Sequence, residues 1–174
     1  LDRALVGAAD VPSRVGLPQD RLLADRIALA AATIVRDHRA ALPLSGGPAA
    51  VAAGVASPGT VERLVEALRA TGRLARVAIL DGPDIPAWTG PLVVPLGDCP
   101  GDREDSQAAI RRRARGPHQT VVVATGVPYP LGRFPQHTAC LAVYGADPSS
   151  LRAAAAVLVG AGSAGGKLPV TVQE

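Results

Sequence analysis

Few residues in this chain are able to do chemistry, and most of them fall into small groups. The densest acidic group is Asp98, Asp102, Glu104 and Asp105. Carboxylates this close together can bind sugar hydroxyls or supply a general acid. They can equally keep a loop soluble and place negative charge at the start of a following helix, where the dipole favours it. Composition alone favours the second role. Just beyond lie Arg111, Arg112, Arg113 and Arg115. Such a cluster is a candidate nucleic-acid patch. Basic readers interleave aromatic side chains with their cations, and only 2% of this chain is aromatic. The arginines therefore read as the solvated face of a short helix, and no nucleic-acid partner is expected.

The remaining reactive residues are scattered. His38, His118 and His137 are the three histidines. His38 is expected at a helix end and the other two beside strands. No serine sits in a G-x-S-x-G elbow, so all three read as ordinary surface histidines. Cys99 and Cys140 have no C-x-x-C spacing and no histidine near enough to ligate, so no metal is expected. They read as free buried thiols. Gly160, Gly162 and Gly165 spell G-x-G-x-x-G. A dinucleotide loop must follow a strand and open a helix, so that phosphate meets the helix N-terminus. Here the glycines follow a helix and lead to Leu168-Pro169. Nor does Lys167 complete a phosphate loop: Ala161 stands where its first glycine is needed, and Leu168 where Ser or Thr would hold magnesium.

The elements that would position these groups alternate along the chain. Residues 1–18 contain Pro12 and Pro18 and read as a lead-in segment. Apolar residues at Leu23, Ile27, Ala30 and Ile34 predict a helix from Gln19 to about Asp37. Short apolar runs predict strands over 49–55, 74–80, 92–96, 120–124 and 139–144. Ser57-Pro58 and Asp147-Pro148 each pair a capping oxygen with a proline suited to the first helical position. The helices they start bury Val61, Leu64, Val65 and Leu68, and Leu151, Ala154, Ala155 and Leu158. Gly72 and Gly160 end them. A short charged helix spans 104–114, and the tail 167–172 is extended. Apolar strands separated by helices mean a mostly parallel sheet of five to six strands in a three-layer α/β/α sandwich, with right-handed crossovers. In such folds functional loops lie beyond the carboxyl ends of the strands. Those loops are 56–60, 81–86, 97–103 and 125–130.

Length and composition set the frame. At 174 residues and 48% hydrophobic, the chain can bury one core but not two, and residues 19–174 form that domain. No apolar run reaches the roughly eighteen residues of a membrane span. The net charge of +3 comes almost wholly from arginine, Lys167 being the only lysine. The chain opens on Leu1 and lacks methionine, so it is expected to be a piece of a longer or processed product. It shows no secretory signal in this stretch and assigns no compartment, secreted or cytoplasmic.

The last third of the sequence carries a resemblance. The run from Val121 through Thr125, Tyr129 and Arg133 to Phe134 resembles a strand and following loop in the C-terminal domain of glycoside hydrolase family 3. So does the run from Leu141 through Tyr144 and Asp147 to Leu151. The end, Val157-Leu158-Val159-Gly160 and then Gly166-Lys167-Leu168-Pro169-Val170-Thr171, is similar to that family's closing pattern. The opening helix, Thr33 to Arg36 and Leu42-Pro43-Leu44 fit as well. The resemblance covers residues 20–172, and the Pro128–Phe134 wording is nearest the β-N-acetylhexosaminidase branch.

The resemblance implies a domain packed behind a (β/α)8 barrel that holds the sugar, in a bacterial parent that needs no cofactor. Retaining glycosidases flank the scissile bond with a nucleophilic carboxylate and an acid/base group. In this family the nucleophile is a barrel aspartate, absent from this chain. In the β-glucosidase branch the acid/base is a C-terminal-domain glutamate a few residues before an aspartate-arginine pair. Asp102-Arg103 is the candidate pair, but the glutamate's place falls near Cys99 or Pro100, and Glu104 lies on the wrong side. That departure fits the hexosaminidase branch, whose acid/base is a histidine-aspartate dyad on a barrel loop. No residue here is expected to be catalytic, and the chain alone is expected to be inactive. Asp98, Asp102, Arg103 and Tyr129 are the candidates for touching substrate or the barrel at the rim. Two rivals stand beside this reading: a self-sufficient module binding a small polar ligand, and an α/β hydrolase or transferase acting through Asp98 or Cys99. A domain missing its barrel should expose an apolar patch, whereas a self-sufficient binder should not.

Overall fold

The computed structural model describes residues 11–81, 85, 87–97 and 104–172, without the side chains of residues 12 and 104–107. In chain order the elements are α1 (Val11–Arg14), α2 (Pro18–Ala31), β1 (Thr33–Arg36), β2 (Pro48–Ala52), α3 (Pro58–Ala70), β3 (Arg76–Leu80), β4 (Leu92–Leu96), α4 (Glu104–Ala114), β5 (Thr120–Ala124), β6 (Ala139–Ala142) and α5 (Pro148–Leu158). A 3-10 turn, Tyr129–Arg133, stands between β5 and β6. The strands form one sheet in the order β1-β6-β5-β4-β2-β3. All neighbours are parallel except β1, which runs antiparallel to β6. This is the expected α/β/α sandwich.

Alternation along the strands builds the core in two layers, one on each face of the single sheet. Val51, Val93, Val121, Val123 and Leu141 face one side, packing with Leu64, Leu68, Leu151 and Leu158 of α3 and α5. Ala50, Leu92, Val94, Val122, Ala124 and Cys140 face the other, with Ile85, Ile110 of α4 and Leu131. Successive residues point to opposite faces, so a strand buried on both sides reads as an unbroken apolar run. Cys140 is a buried free thiol, as expected, and Cys99 lies outside the described residues.

Local chemistry starts and stops the helices as the sequence indicates. The Ser57 hydroxyl accepts from Thr60 N–H, and the Asp147 carboxylate accepts from Ser149 and Ser150 N–H. Removing such caps costs about 1 kcal/mol. Gly160, at φ +68°, turns the chain out of α5 through the left-handed region. Pro95 stands inside a central strand, where a proline is unusual. Its position has no donor to offer β2, and the β2–β4 ladder has already ended at Val51–Val93.

The opening helix departs from expectation. It stops at Ala31, and Thr33–Arg36 is an edge strand. Three β-branched residues in succession, Thr33, Ile34 and Val35, favour extended backbone, and Arg36 fixes the strand's end. Its buried guanidinium donates to Leu131 O (2.7 Å), Phe134 O (2.9 Å) and Thr138 O (3.2 Å). The expected apolar face of the helix is present but uncovered. Leu22, Leu23 and Ile27 are 66, 53 and 60% exposed, and Val15 before them 66%. Nothing in α2 is fully buried. It is held to α5 by half-buried Leu29, whose side chain lies against Gly162, and by the Arg152–Asp25 ion pair at 2.6 Å. Val11–Arg14 is one helical turn inside the lead-in.

Candidate functional site

The carboxyl ends of the parallel strands converge on one edge, where the sequence placed the site. β4 and β5 are locked together there. Thr125 donates to Leu96 O through both its N–H (2.9 Å) and its hydroxyl (3.2 Å). Gly97 fits against them because it has no side chain: a Cβ there would lie 2.9 Å from Thr125 Oγ1. Gly97 N–H donates in turn to Val55 O at 3.4 Å. On the β6 side, Tyr144 takes φ +58°, rare for a bulky residue. Its hydroxyl donates to Thr33 Oγ1 at 3.0 Å, and the Thr33 hydroxyl to Ala31 O at 2.9 Å. Because β1 is antiparallel, its first residue lies at this same edge. Neither Thr33 nor Tyr144 was singled out for this edge from the sequence, since a helix was expected through Thr33.

Of the rim candidates, Tyr129 is described. It follows β5 at the start of the 3-10 turn and is 57% exposed, and Val127, two residues before it, is 50% exposed. The turn is anchored below by buried Leu131 and by Arg36, so Tyr129 is presented on a fixed base. Asp98, Asp102 and Arg103 lie outside the described residues, as does Cys99. Among the described residues no three His, Cys, Asp or Glu side chains converge as metal ligands. No described helix is long and apolar enough to cross a membrane.

The structure corrects three readings of side chains. Arg113 is not part of a solvated face: it is 6% exposed and donates to Trp88 O and, at 2.6 Å, to Gly90 O. It ties α4 to the segment before β4, while Arg112 and Arg115 are exposed. His38 follows a strand rather than a helix. His137 is half-buried, its Nε2 2.7 Å from Ala114 O. A carbonyl only accepts, so Nε2 carries the proton. The glycine run 160–165 opens no helix; residues 163–172 have no regular structure.

No family model matches the chain, and no curated protein matches it. Solved structures do. A family 3 β-N-acetylglucosaminidase from Paenibacillus sp. aligns at TM-score 0.72 and 19% identity, over 97% of this chain and 35% of its own. A β-glucoside phosphorylase aligns at 0.68 and 19%, over 95% and 34%. A β-glucosidase from Listeria innocua aligns at 0.66 and 14%, over 91% and 27%. These similarities show the fold: it is that of a portion of a family 3 β-N-acetylglucosaminidase chain and of the other two enzymes. This chain spans about a third of the length of the first two.

Proposed function

We propose that this chain is the C-terminal domain of a family 3 glycoside hydrolase of the β-N-acetylhexosaminidase-like branch, supporting a (β/α)8 barrel that carries the reactive groups. The observation that carries the reading is topological. One α/β/α sandwich with a single antiparallel edge strand aligns over nearly the whole chain with about a third of a family 3 β-N-acetylglucosaminidase. The uncovered face of Val15, Leu22, Leu23 and Ile27 supports it. Four large apolar side chains, each more than half exposed on adjoining segments, are the kind of patch that marks an interaction surface. The occupant proposed for this face is the barrel of the same parent chain. The rim, with Tyr129 and the loop carrying Asp98, Asp102 and Arg103, then borders the sugar site without supplying its acid or nucleophile.

The test is the parent chain, produced with the segment upstream of Leu1. It should hydrolyse an aryl β-N-acetylglucosaminide in preference to an aryl β-glucoside. Preference for the glucoside would overturn the branch. Activity on neither, from a folded parent, would overturn the family reading.

A further inference from the structure

The edge opposite the rim holds a second concavity. It is a cleft of about 280 Å³ at the amino ends of β5 and β6, roughly nine water volumes. The antiparallel strand creates it: β1 ends at this edge, so the loop after β1 meets the segments entering β5 and β6. Arg39 comes from the first, His118 and Gln119 from the second, His137 from the third. In the sequence the two histidines read as unrelated surface residues, and only the strand order brings them together.

The lining carries the Arg39 guanidinium and no carboxylate among its described residues. Arg39 is exposed and makes no hydrogen bond or ion pair among the described residues. The nearest carboxylate in sequence, Asp37, is turned to backbone, accepting from Ala41 N–H at 2.7 Å and Leu42 N–H at 3.1 Å. Those bonds, with the Gln119 amide on Ala41 O, hold Ala40 at φ +48°. A non-glycine residue held in that region costs on the order of 1 kcal/mol, and here it fixes the loop that presents Arg39. The cleft also adjoins the C-terminal end of α4, whose free carbonyls would repel an anion. They are occupied. Ala114 O accepts from His137, Arg113 O from Gly116 N–H, and Arg111 O and Arg112 O from Arg115 N–H.

We propose that this cleft binds a small tetrahedral oxyanion, either free phosphate or the phosphate group of a small metabolite. The Arg39 guanidinium fork, the His118 imidazole and the second N–H of the Gln119 amide, from two separate segments, suit an anion with several oxygens on different sides. The site is independent of the glycosidase reading. It lies at the amino edge of the sheet, whereas the proposed sugar rim lies at the carboxyl edge.

Calorimetric titration of the full chain tests this, with inorganic phosphate, a sugar monophosphate and acetate as separate ligands and histidine ring resonances as a second readout. Saturable binding of one or both phosphates is expected, with the His118 and His137 signals shifting in step. The tighter of the two identifies the source. Arg39→Ala should weaken binding about tenfold, the loss of a charge-assisted contact, and Arg39→Lys by less. Arg63→Ala, on α3, should leave binding unchanged. Arg39 is exposed, so its variants should melt with the parent. If Arg39→Ala does not, Arg39→Lys and His118→Gln are read in its place. Absence of saturation, acetate binding as tightly as phosphate, or equal loss in the Arg39 and Arg63 variants would each overturn the proposal.

Discussion

Replacing Arg36 by methionine should cost more than any surface change in the molecule. The side chain lies 7% exposed on an edge strand, and its guanidinium serves three carbonyls of the segment between β5 and β6. Methionine retains the apolar stem and removes every donor. Hydrogen bonds to a charged group contribute about 1.5–3 kcal/mol each, and a buried carbonyl left without a partner costs about 1–3. The bonds to Leu131 O and Phe134 O are short and count near 1.5–2 each by that scale; the 3.2 Å bond to Thr138 O counts for less. The sum is about 4 kcal/mol, a large share of the roughly 5–15 kcal/mol that holds a domain folded. Urea unfolding should show this loss against an Arg112→Met control on exposed α4. Amide exchange in residues 129–138 should accelerate more than in α3, because the lost bonds tie down that segment first. A loss below about 1 kcal/mol, or acceleration spread evenly over the molecule, would refute the assignment of Arg36 as the clamp that presents Tyr129.

Two further outcomes follow. The double substitution Leu23→Glu, Ile27→Glu should leave the isolated chain's stability within about 0.5 kcal/mol, since both residues are more than half exposed. In the parent it should cost roughly 2 kcal/mol of domain docking, about half of full burial for each side chain; equal melting of wild-type and variant parents would remove the docking face. Acid should weaken the cap of α5. Burial pushes the Asp147 carboxyl up, but the Ser150 hydroxyl and the Ser149 and Ser150 amides outweigh it and hold it below 3.8. A carboxyl depressed in the folded state stabilises above its unfolded value, near 3.9, and loses that contribution as pH falls through the folded one. Stability measured from pH 7 downward should therefore converge between wild type and Asp147→Asn in strong acid; a gap that stays constant would contradict the cap's role.

Most of the fold was legible because apolar runs and capping pairs act locally. Thr120–Ala124 is apolar on both faces because both faces are covered, and Ser57-Pro58 starts a helix wherever it stands before an amphipathic run. What was not legible depended on distant contacts. Thr33–Arg36 fits the helical period of the residues before it, and becomes a strand by pairing with β6 and by Arg36 meeting carbonyls some hundred positions away. Arg113 reads as one of four similar cations, and only the approach of Trp88 and Gly90 selects it for burial. At the rim, Tyr129 was legible as a loop residue after a strand, whereas the Tyr144–Thr33 link required the antiparallel partner. The same unforeseen strand order assembles the cleft at the amino edge.

The central claim is that the reactive groups of the proposed glycosidase lie outside these 174 residues. Turnover of aryl β-N-acetylglucosaminide and aryl β-glucoside by the purified chain tests it most directly. The account predicts no release of the aryl alcohol above the uncatalysed background from a folded sample. Enzyme-like turnover of either substrate, on the order of 1 s⁻¹ or faster, would contradict it.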